Sequence, residues 1–328
     1  MAFKSLLIIF IFLSSNLFAQ KAHIKPVPII FDSDIGPDYD DVGAITILHV
    51  LEDRGEAKIL ATIASNKYEG IPAVLDVFNT YFDRPQIPIG VPKGKAVNLR
   101  DSQHWTDTIL LKYPHKIKYN KEAPDAVEVY RKVLSEQPDH SVTIVTVGFL
   151  TNLANLLKTP GDQYSLLDGR SLIEKKVKLL VSMAGKYPSG KEFNIIKDAV
   201  SSKEALEEWP TPVIFSGFEI GEKIKTGLPL IRNNKIHNNP AKDVFSICIP
   251  KSPADAAGRM SWDETAVLVA VKGYQPFYKL HSGKIKIAED GTNSWDENGT
   301  GQYYLAEKKS PKKVQKVIND LMMQMPKK

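Results

Sequence analysis

Five aspartates fall within ten residues near the start of the chain, in the segment 32–41, which reads DSDIGPDYDD. Carboxylates this close repel one another unless shared protons or a hard cation neutralise their charge. A set of donors made only of oxygen suits calcium or magnesium better than zinc. The types and spacing of these residues therefore indicate a metal site.

Three other interpretations of this segment compete with a metal site. A solvated acidic turn is the most common form of an aspartate-rich loop, but it does not explain the apolar segments on both sides. An EF-hand loop starting at Asp32 would need a bidentate glutamate at its twelfth position, where the sequence has Gly43, and is excluded. A phospho-aspartyl enzyme also begins with Asp-x-Asp and needs magnesium. It has no use for the later Asp40-Asp41 pair, and it stays a minor alternative.

Polar residues also follow the other apolar runs that resemble strands. They are Ser65-Asn66, the segment 148–152 with sequence GFLTN, and Glu192-Phe193-Asn194, while Ser261-Trp262 precede a helix-like segment that starts at Asp263. Each of these short motifs alone is explained by turn or capping chemistry. Because the carboxyl ends of parallel strands meet at one edge of a sheet, the motifs together predict a shared site.

The elements that must position these residues alternate between β-branched apolar runs and helix-period segments, which predicts an α/β fold. We expect an open, mostly parallel sheet with helices on both faces. Strands are predicted at 27–31, 59–64, 87–91, 142–147, 178–183 and 212–215, and helices at 42–51, 72–82, 124–136, 153–158 and 263–271. Short strands at 284–288 and 302–305, with a helix at 311–323, predict a small antiparallel appendage near the C-terminus. The polar segments 93–119 and 228–253 are longer than ordinary connections, so each is a lid or a surface insertion.

The ends and the composition of the chain predict an exported protein. Residues 1–19 combine a positive start, an apolar stretch and a small residue at Ala19, which is typical of a cleavable signal peptide. The remaining residues 20–328 are predicted to form one domain, either periplasmic or secreted, that could form a homo-oligomer. The lone cysteine, Cys248, excludes an internal disulfide and is expected to be a small buried hydrophobe. The net charge of +5 is scattered, so neither a nucleic acid polymer nor, after signal cleavage, a membrane is an expected partner.

Five of these motifs, in this order, resemble those of the inosine-uridine-preferring nucleoside hydrolase family over essentially the whole mature chain. The first loop resembles the family's aspartate-rich loop with two extra residues, so that Asp34, Asp40 and Asp41 match its aspartates. Four later family motifs are matched in the same order: Asn66 at the end of the second strand, the GFLTN turn at 148–152, the Glu-Phe-Asn motif at 192–194 and the late aspartate Asp263. The resemblance implies an enzyme that hydrolyses the N-glycosidic bond of small nucleosides to ribose and a free base.

Residue roles also come from this resemblance. It implies four calcium ligands: the carboxylates of Asp34, Asp41 and Asp263 and the backbone carbonyl oxygen of Val147. It implies four side chains that hold the ribose hydroxyls: Asp40, Asn66, Glu192 and Asn194. Asp34 is the implied general base, because it would contact the attacking water.

The chain departs from the family pattern in two places. Many members have a histidine before the late aspartate, whereas this chain has Trp262, as in a purine-specific branch in which the tryptophan stacks on the base. A buried structural role for Trp262 is the alternative. Trp105 or Tyr68 could supply a second aromatic face. The family's asparagine before Glu-Phe-Asn has no counterpart in the segment 186–191.

We therefore expect a calcium-dependent hydrolase of ribonucleosides, with preference for purines and a role in salvage or scavenging. A non-catalytic, calcium-stabilised protein that binds ribosides or sugars is the alternative from a different class. A hydrolase of another ribosyl compound, such as a nicotinamide riboside, is a third interpretation. Release of ribose from inosine separates the first from the second.

Overall fold

The computed structural model describes residues 25–327, so the predicted signal peptide lies outside the described residues. The strands are β1 (Val27–Ser33), β2 (Ala57–Ala64), β3 (Ile89–Gly90), β4 (Val142–Thr146), β5 (Val177–Ser182), β6 (Ser189–Gly190), β7 (Val213–Phe215), β8 (Lys225–Thr226), β9 (Arg259–Met260), β10 (Tyr278–Ile287), β11 (Asn293–Asp296) and β12 (Gln302–Glu307). The helices are α1 (Asp40–Asp53), α2 (Ile71–Tyr81), α3 (Trp105–Lys112), α4 (Ala126–Ser135), α5 (Thr151–Leu157), α6 (Gly169–Lys176), α7 (Phe193–Lys197), α8 (Ala199–Glu208), α9 (Phe218–Gly221), α10 (Leu228–Arg232), α11 (Pro240–Cys248), α12 (Trp262–Lys272) and α13 (Pro311–Met322). Within the described part of the chain, no helix is both long and apolar enough to cross a membrane.

The main sheet has the strand order β3-β2-β1-β4-β5-β7-β12-β10-β11-β6. The pairs from β3 through β12 are parallel, and β10, β11 and β6 add antiparallel pairs at one end. From β1 the chain first builds outward through β2 and β3, and it then returns to place β4 on the other side of β1. This is a topological switch point, where the carboxyl ends of neighbouring strands open a crevice for a ligand. The predicted α/β fold is confirmed.

Apolar side chains alternate between the two faces of the sheet. On β1, Ile29 and Phe31 belong to the core on one face and Ile30 to the core on the other, and all three are fully buried. This alternation follows from the two-residue period of a strand, and helices cover both faces. The core therefore holds β1 rigidly, and β1 carries the first aspartates to the carboxyl edge of the sheet.

The boundaries of two elements differ from the prediction at the acidic segment. Asp32 and Ser33 belong to β1 and not to the loop, because β1 is paired on both sides, with Asp32 opposite Ile63 and Thr146. Asp40 and Asp41 form the first turn of α1. Carboxylates are favourable there because the N-terminus of a helix carries a partial positive charge. The true loop is shorter than the sequence indicates.

The two long polar segments contain helices that pack on the main body. In the first, α3 carries the fully buried Trp105 and contacts α2 and α11. In the second, α11 contacts α1 and carries Phe245 and Cys248, both fully buried. The full burial of Cys248 confirms that it is a small buried hydrophobe, and burial raises the pKa of its thiol to about 12. The sequence did not predict these helices, because each is short and lies in a polar segment.

The antiparallel part near the C-terminus is larger than predicted. β10 starts at Tyr278, and its pairing runs from Tyr278 opposite Glu307 to Gly283 opposite Gln302. β12 is antiparallel to β10 but parallel to β7, so the appendage continues the main sheet. Exposed polar residues in the first half of β10 interrupt the alternation of apolar residues. For this reason the sequence predicted that the strand starts at residue 284 and not at Tyr278.

Candidate active site

A cavity opens at the carboxyl edge of the sheet, beside the switch point between β1 and β4. The side chains and backbone that line it are those of Asp34, Asp38, Asp40, Val147, Met183, Glu192, Phe193, Asn194, Phe218, Arg259, Trp262 and Asp263. Seven of the nine residues predicted as site residues are among them, contributed by segments more than 200 positions apart in the sequence. Asn66 and Asp41 are the two that are not in the lining.

Asp34 lies directly after β1, where the backbone of Gly148 passes very close. A Cβ atom at Gly148 would lie 2.3 Å from the backbone nitrogen of Asp34 and 2.4 Å from Oγ of Ser65. Only glycine allows this approach, so the first residue of the GFLTN turn brings the neighbouring Val147 beside Asp34. Both Asp34 and Val147 are buried and line the cavity.

Asp40 and Asp41 point in different directions from the first turn of α1. The Oδ2 atom of Asp40 accepts the backbone N–H groups of Trp262 at 3.1 Å and Asp263 at 3.3 Å. Asp41 accepts the hydroxyl of Ser33 at 2.5 Å and lies behind the cavity lining. Burial raises the pKa of Asp41 to about 6, and the charge of Asp40 adds to this effect.

Carboxylate oxygens of Asp38, Asp40 and Asp263 approach within 4.8 Å of one another, close enough to share a metal ion. Burial raises the pKa of Asp34 and that of Asp263 well above the usual range, and neighbouring aspartates contribute to both shifts. A cation bound among these carboxylates would offset their repulsion and desolvation. The donor set consists of oxygen atoms, so the cavity fits a hard divalent ion. The ligand set predicted from the sequence, which includes Asp41 and the Val147 carbonyl, stays a prediction.

Glu192 and Asn194 are fixed at the far wall of the cavity by the start of α7. The carboxylate of Glu192 accepts the backbone N–H groups of Asn194, Ile195 and Gly185 at 2.7, 3.2 and 3.2 Å. The amide nitrogen of Asn194 donates to the carbonyl oxygens of Val147 at 3.1 Å and Met183 at 3.2 Å. These bonds leave the side-chain oxygen of Asn194 available to a ligand hydroxyl.

Asn66, like Asp40, has its hydrogen-bonding positions taken by other groups of the protein. Its Nδ2 atom donates to the carbonyls of Asp34 at 3.2 Å and Leu99 at 2.7 Å, and its Oδ1 atom accepts the N–H groups of Tyr68 and Leu99, both at 3.1 Å. These four bonds use the full capacity of a carboxamide. Asn66 thus fastens the segment 93–104 to the loop after β1, and its ribose role stays a prediction.

Two side chains of the GFLTN turn, Thr151 and Asn152, make hydrogen bonds to aspartates that the sequence did not predict. Thr151 does not cap α5 but donates its hydroxyl to Asp198 at 2.8 Å. Asn152 donates to Asp32 at 3.1 Å, and Tyr130 donates to the same carboxylate at 2.8 Å. Asp32 is fully buried and is not part of the cavity lining, and burial raises its pKa to about 7 although these bonds lower it.

Three aromatic residues line the cavity, and two of them, Phe218 and Trp262, adjoin to form an aromatic wall, while Phe193 lies between Glu192 and Asn194. The ring of Trp262 is half-buried and lies 5.2 Å from that of Phe218, and its Nε1–H donates to the carbonyl oxygen of Phe218 at 2.8 Å. The tryptophan is therefore held in one orientation at the cavity. Neither Trp105 nor Tyr68, suggested as a second aromatic face, belongs to the lining.

The sequence interpretation missed Arg259, Phe193 and Phe218, and it left the role of Asp38 open. Phe193 lies inside the Glu-Phe-Asn motif, so its neighbours gave a signal. Arg259 is a lone basic residue four positions before the late aspartate, which is a weak signal. Phe218 has none, because it belongs to a four-residue helix after β7.

The fold and cavity together define an α/β protein that can bind a hydroxyl-rich ligand, and a metal ion, at the switch point of its sheet. The sequence model of the family described as "inosine-uridine preferring nucleoside hydrolase" matches residues 29–324. A pyrimidine-specific ribonucleoside hydrolase from Photobacterium profundum is 26% identical over 226 residues, which cover 66% of this chain and 68% of that protein.

Solved structures show the same fold. An inosine-uridine preferring nucleoside hydrolase from Bacillus anthracis superposes with a TM-score of 0.69 at 14% identity, covering 90% of this chain and 99% of the other. A purine-preferring ribonucleoside hydrolase from Gardnerella vaginalis gives a TM-score of 0.69 at 15% identity, with the same coverage of 90% and 99%.

The chain belongs to the inosine-uridine preferring nucleoside hydrolase family, because the family's sequence model covers most of its length. Membership defines an N-glycosyl hydrolase whose reaction class is cleavage of the ribonucleoside N-glycosidic bond. The predicted family and type of enzyme are confirmed.

Proposed function

We propose that this protein is a calcium-dependent ribonucleoside hydrolase that prefers purine nucleosides and acts after export from the cytoplasm. One observation carries the proposal: the carboxylates of Asp34, Asp40 and Asp263 share a cavity with an aromatic wall. Carboxylates and amide oxygens suit the hydroxyls of ribose, and the aromatic rings suit a planar base.

The ribose is bound by side chains whose orientations are fixed in advance. Both oxygens of Asp40 accept hydrogen bonds from the protein, and the carboxylate of Glu192 is held by three backbone N–H groups. Asn194 keeps its side-chain oxygen available because its nitrogen is bound to two carbonyls. Such preorganised acceptors place the sugar without further ordering on binding. They also stabilise the positive charge that develops on the sugar as the bond breaks.

Asp34, Asp41, Asp263 and the carbonyl oxygen of Val147 would hold the calcium ion. When bound, a divalent ion of this kind lowers the pKa of a coordinated water. The Asp34 carboxylate takes the proton from the attacking water, so that the oxygen of the water forms a bond to the anomeric carbon. The electron pair of the broken carbon–nitrogen bond leaves with the base.

The preference for purines rests on the size of the aromatic wall. Trp262 and Phe218 present two adjoining rings at the cavity, and a two-ring purine covers more of this surface than a pyrimidine. The relative from Photobacterium profundum is named pyrimidine-specific. At 26% identity the two proteins can differ in the base they prefer. A comparison of kcat/KM for purine and pyrimidine nucleosides distinguishes the two preferences.

The experiment is a reducing-sugar assay with inosine, guanosine, adenosine, uridine and cytidine, on protein stripped with a chelator and then supplied with calcium, magnesium or zinc. We expect ribose release with calcium, and a larger kcat/KM for the purine nucleosides. Binding of inosine without release of ribose would favour the non-catalytic alternative. A larger kcat/KM for uridine would overturn the purine preference.

Asp34→Asn tests the assignment of the general base, with Asp290→Asn on the surface as a matched control. Loss of a general base lowers the rate by about 10²–10⁴-fold. We expect a loss in this range in kcat for Asp34→Asn and none for Asp290→Asn, whose side chain bonds Thr292 and Lys191 at the surface. Wild-type kcat in Asp34→Asn would rule out the proposed role.

A further inference from the structure

A buried arginine contacts the acidic cluster from the side of the aromatic wall. The Nε and Nη2 atoms of Arg259 donate to the same oxygen, Oδ1 of Asp40, at 3.0 and 2.7 Å. Nη2 also lies 2.7 Å from Oδ2 of Asp38, and the arginine side chain is only 11% exposed. Among the described residues that line the cavity, Arg259 is the positive one, and the other charged side chains are carboxylates.

Two aromatic rings and a third carboxylate fix the guanidinium in place. It lies 4.9 Å from the ring centroid of Tyr39 and 5.2 Å from that of Trp262. Tyr39 donates its hydroxyl to Asp255 at 2.8 Å, and Asp255 approaches Nη1 of Arg259 at 4.0 Å. A planar guanidinium can stack and bind carboxylates at the same time, whereas a lysine ammonium cannot.

These contacts decide which carboxylates remain available to a metal ion. Oδ1 of Asp40 is bound by Arg259, and Oδ2 accepts two backbone N–H groups at the start of α12. Asp34 and Asp263 also line the cavity, whereas the ion pairs of Arg259 are with Asp38, Asp40 and Asp255. The carboxylates therefore divide into a group neutralised by a fixed protein cation and a group left for a bound cation.

We propose that Arg259 is a positioning residue that acts as a fixed internal cation, fixing the orientation of the Asp40 carboxylate in the cavity and preventing Asp38 and Asp40 from binding a second metal ion. This inference deepens the proposed function and rests on it for the effect on substrate binding. The carboxylate oxygens of Asp38, Asp40 and Asp263 lie within 4.8 Å of one another. This group is then not the metal site, because Arg259 already neutralises the charges of Asp38 and Asp40.

The test compares Arg259→Met, which keeps the length but removes the charge, with Arg259→Lys, which keeps the charge but loses the forked geometry. Calcium binding to metal-stripped protein is measured by titration calorimetry without substrate, and kcat and KM are measured for inosine. We expect one calcium ion per wild-type chain and two per Arg259→Met chain. We also expect KM to rise at least tenfold in both variants, with one calcium ion retained in Arg259→Lys.

Arg54→Met, at a partly exposed surface pair with Glu56, is the matched control and should change neither quantity. One calcium ion of unchanged affinity in Arg259→Met, or two ions in the wild type, would overturn the proposal. If Arg259→Met does not fold, an unchanged KM in Arg259→Lys overturns it equally. Failure of the proposed function would appear separately, as absence of ribose release by the wild type, while the calcium stoichiometry still reports on Arg259.

Discussion

Replacing Trp262 with alanine tests whether its ring binds the base or only supports the protein. The ring lines the cavity, but it also packs on Phe218 and donates a hydrogen bond to that residue's carbonyl oxygen at 2.8 Å. A Cβ atom at Gly221 would lie 2.5 Å from Cδ1 of Trp262, so the edge of the ring is closely packed. The substitution therefore affects both binding and stability, and the two effects have separate magnitudes.

Stacking of one base on an aromatic side chain is worth roughly 1–3 kcal/mol, which corresponds to a factor of about 5 to about 150 in kcat/KM. Truncation of a large aromatic costs about 3–5 kcal/mol of stability when the side chain is fully buried. Trp262 is half-buried, so we expect a smaller loss, on the order of 2 kcal/mol, which leaves the protein folded at room temperature.

The assay measures kcat/KM for inosine and uridine, together with the free energy of unfolding in urea and the calcium content. We expect Trp262→Ala to lower kcat/KM for inosine by about fivefold or more, with a smaller loss for uridine and unchanged calcium content. Trp209→Ala is the matched control, because Trp209 is buried in the core on the opposite face and also donates a side-chain hydrogen bond, to Thr211 at 2.9 Å. It should lose stability and keep the ratio of the two substrates.

An equal loss on inosine and uridine in Trp262→Ala would refute the stacking argument. A loss of stability as large as that of Trp209→Ala, with the substrate ratio unchanged, would assign Trp262 to structural support. In either case the preference for purines would need another cause, and Phe218 and Phe193 are the remaining aromatic residues that line the cavity.

Three further predictions concern stability and processing. Burial raises the pKa of Asp32 and of Asp40 from 3.8 to about 7, so metal-free protein should lose stability as pH rises from about 4 to about 7, because buried carboxyls must then ionise. Thermal unfolding with a chelator at pH 4.5 and pH 8 checks this, and a higher Tm at pH 8 would contradict it. Gly43→Ala should cost about 1–3 kcal/mol in urea unfolding, because a Cβ there would lie 2.1 Å from Oε1 of the buried Glu264. The exported protein should begin near Gln20, and an intact mass that includes residues 1–19 would refute this.

The main sheet was predictable because its signals are local. β1, β2, β4 and β5 each appear in the sequence as a short apolar run, and the structure places all four at neighbouring positions in the sheet. The short helices α3, α10 and α11 were not predicted, because each spans at most nine residues and lies in one of the two long polar segments. They are stabilised by packing and not by their own pattern: α3 packs on α2 and α11, α11 packs on α1 and α2, and α10 packs on α11 and α13.

The sequence by itself determined the chemical types of the site residues and the edge of the sheet where they gather. Asp34, Glu192, Asn194 and Asp263 each follow a strand or open a helix, so the carboxyl-edge rule for parallel sheets brought them together without coordinates. Their resemblance to a family then gave each one a role, and the structure places all four at one cavity.

Only the tertiary structure decided which partner each side chain takes. Arg259 binds Asp40 across 219 positions of sequence, and Asn66 uses all four of its hydrogen-bonding positions on backbone groups, two of them at Leu99. Neither hydrophobic periodicity nor a short sequence motif can predict hydrogen bonds between residues so far apart in the sequence. Their energy depends on burial and on distances that exist only after distant segments have packed, whereas periodicity and motifs reflect the geometry of a single strand, turn or helix.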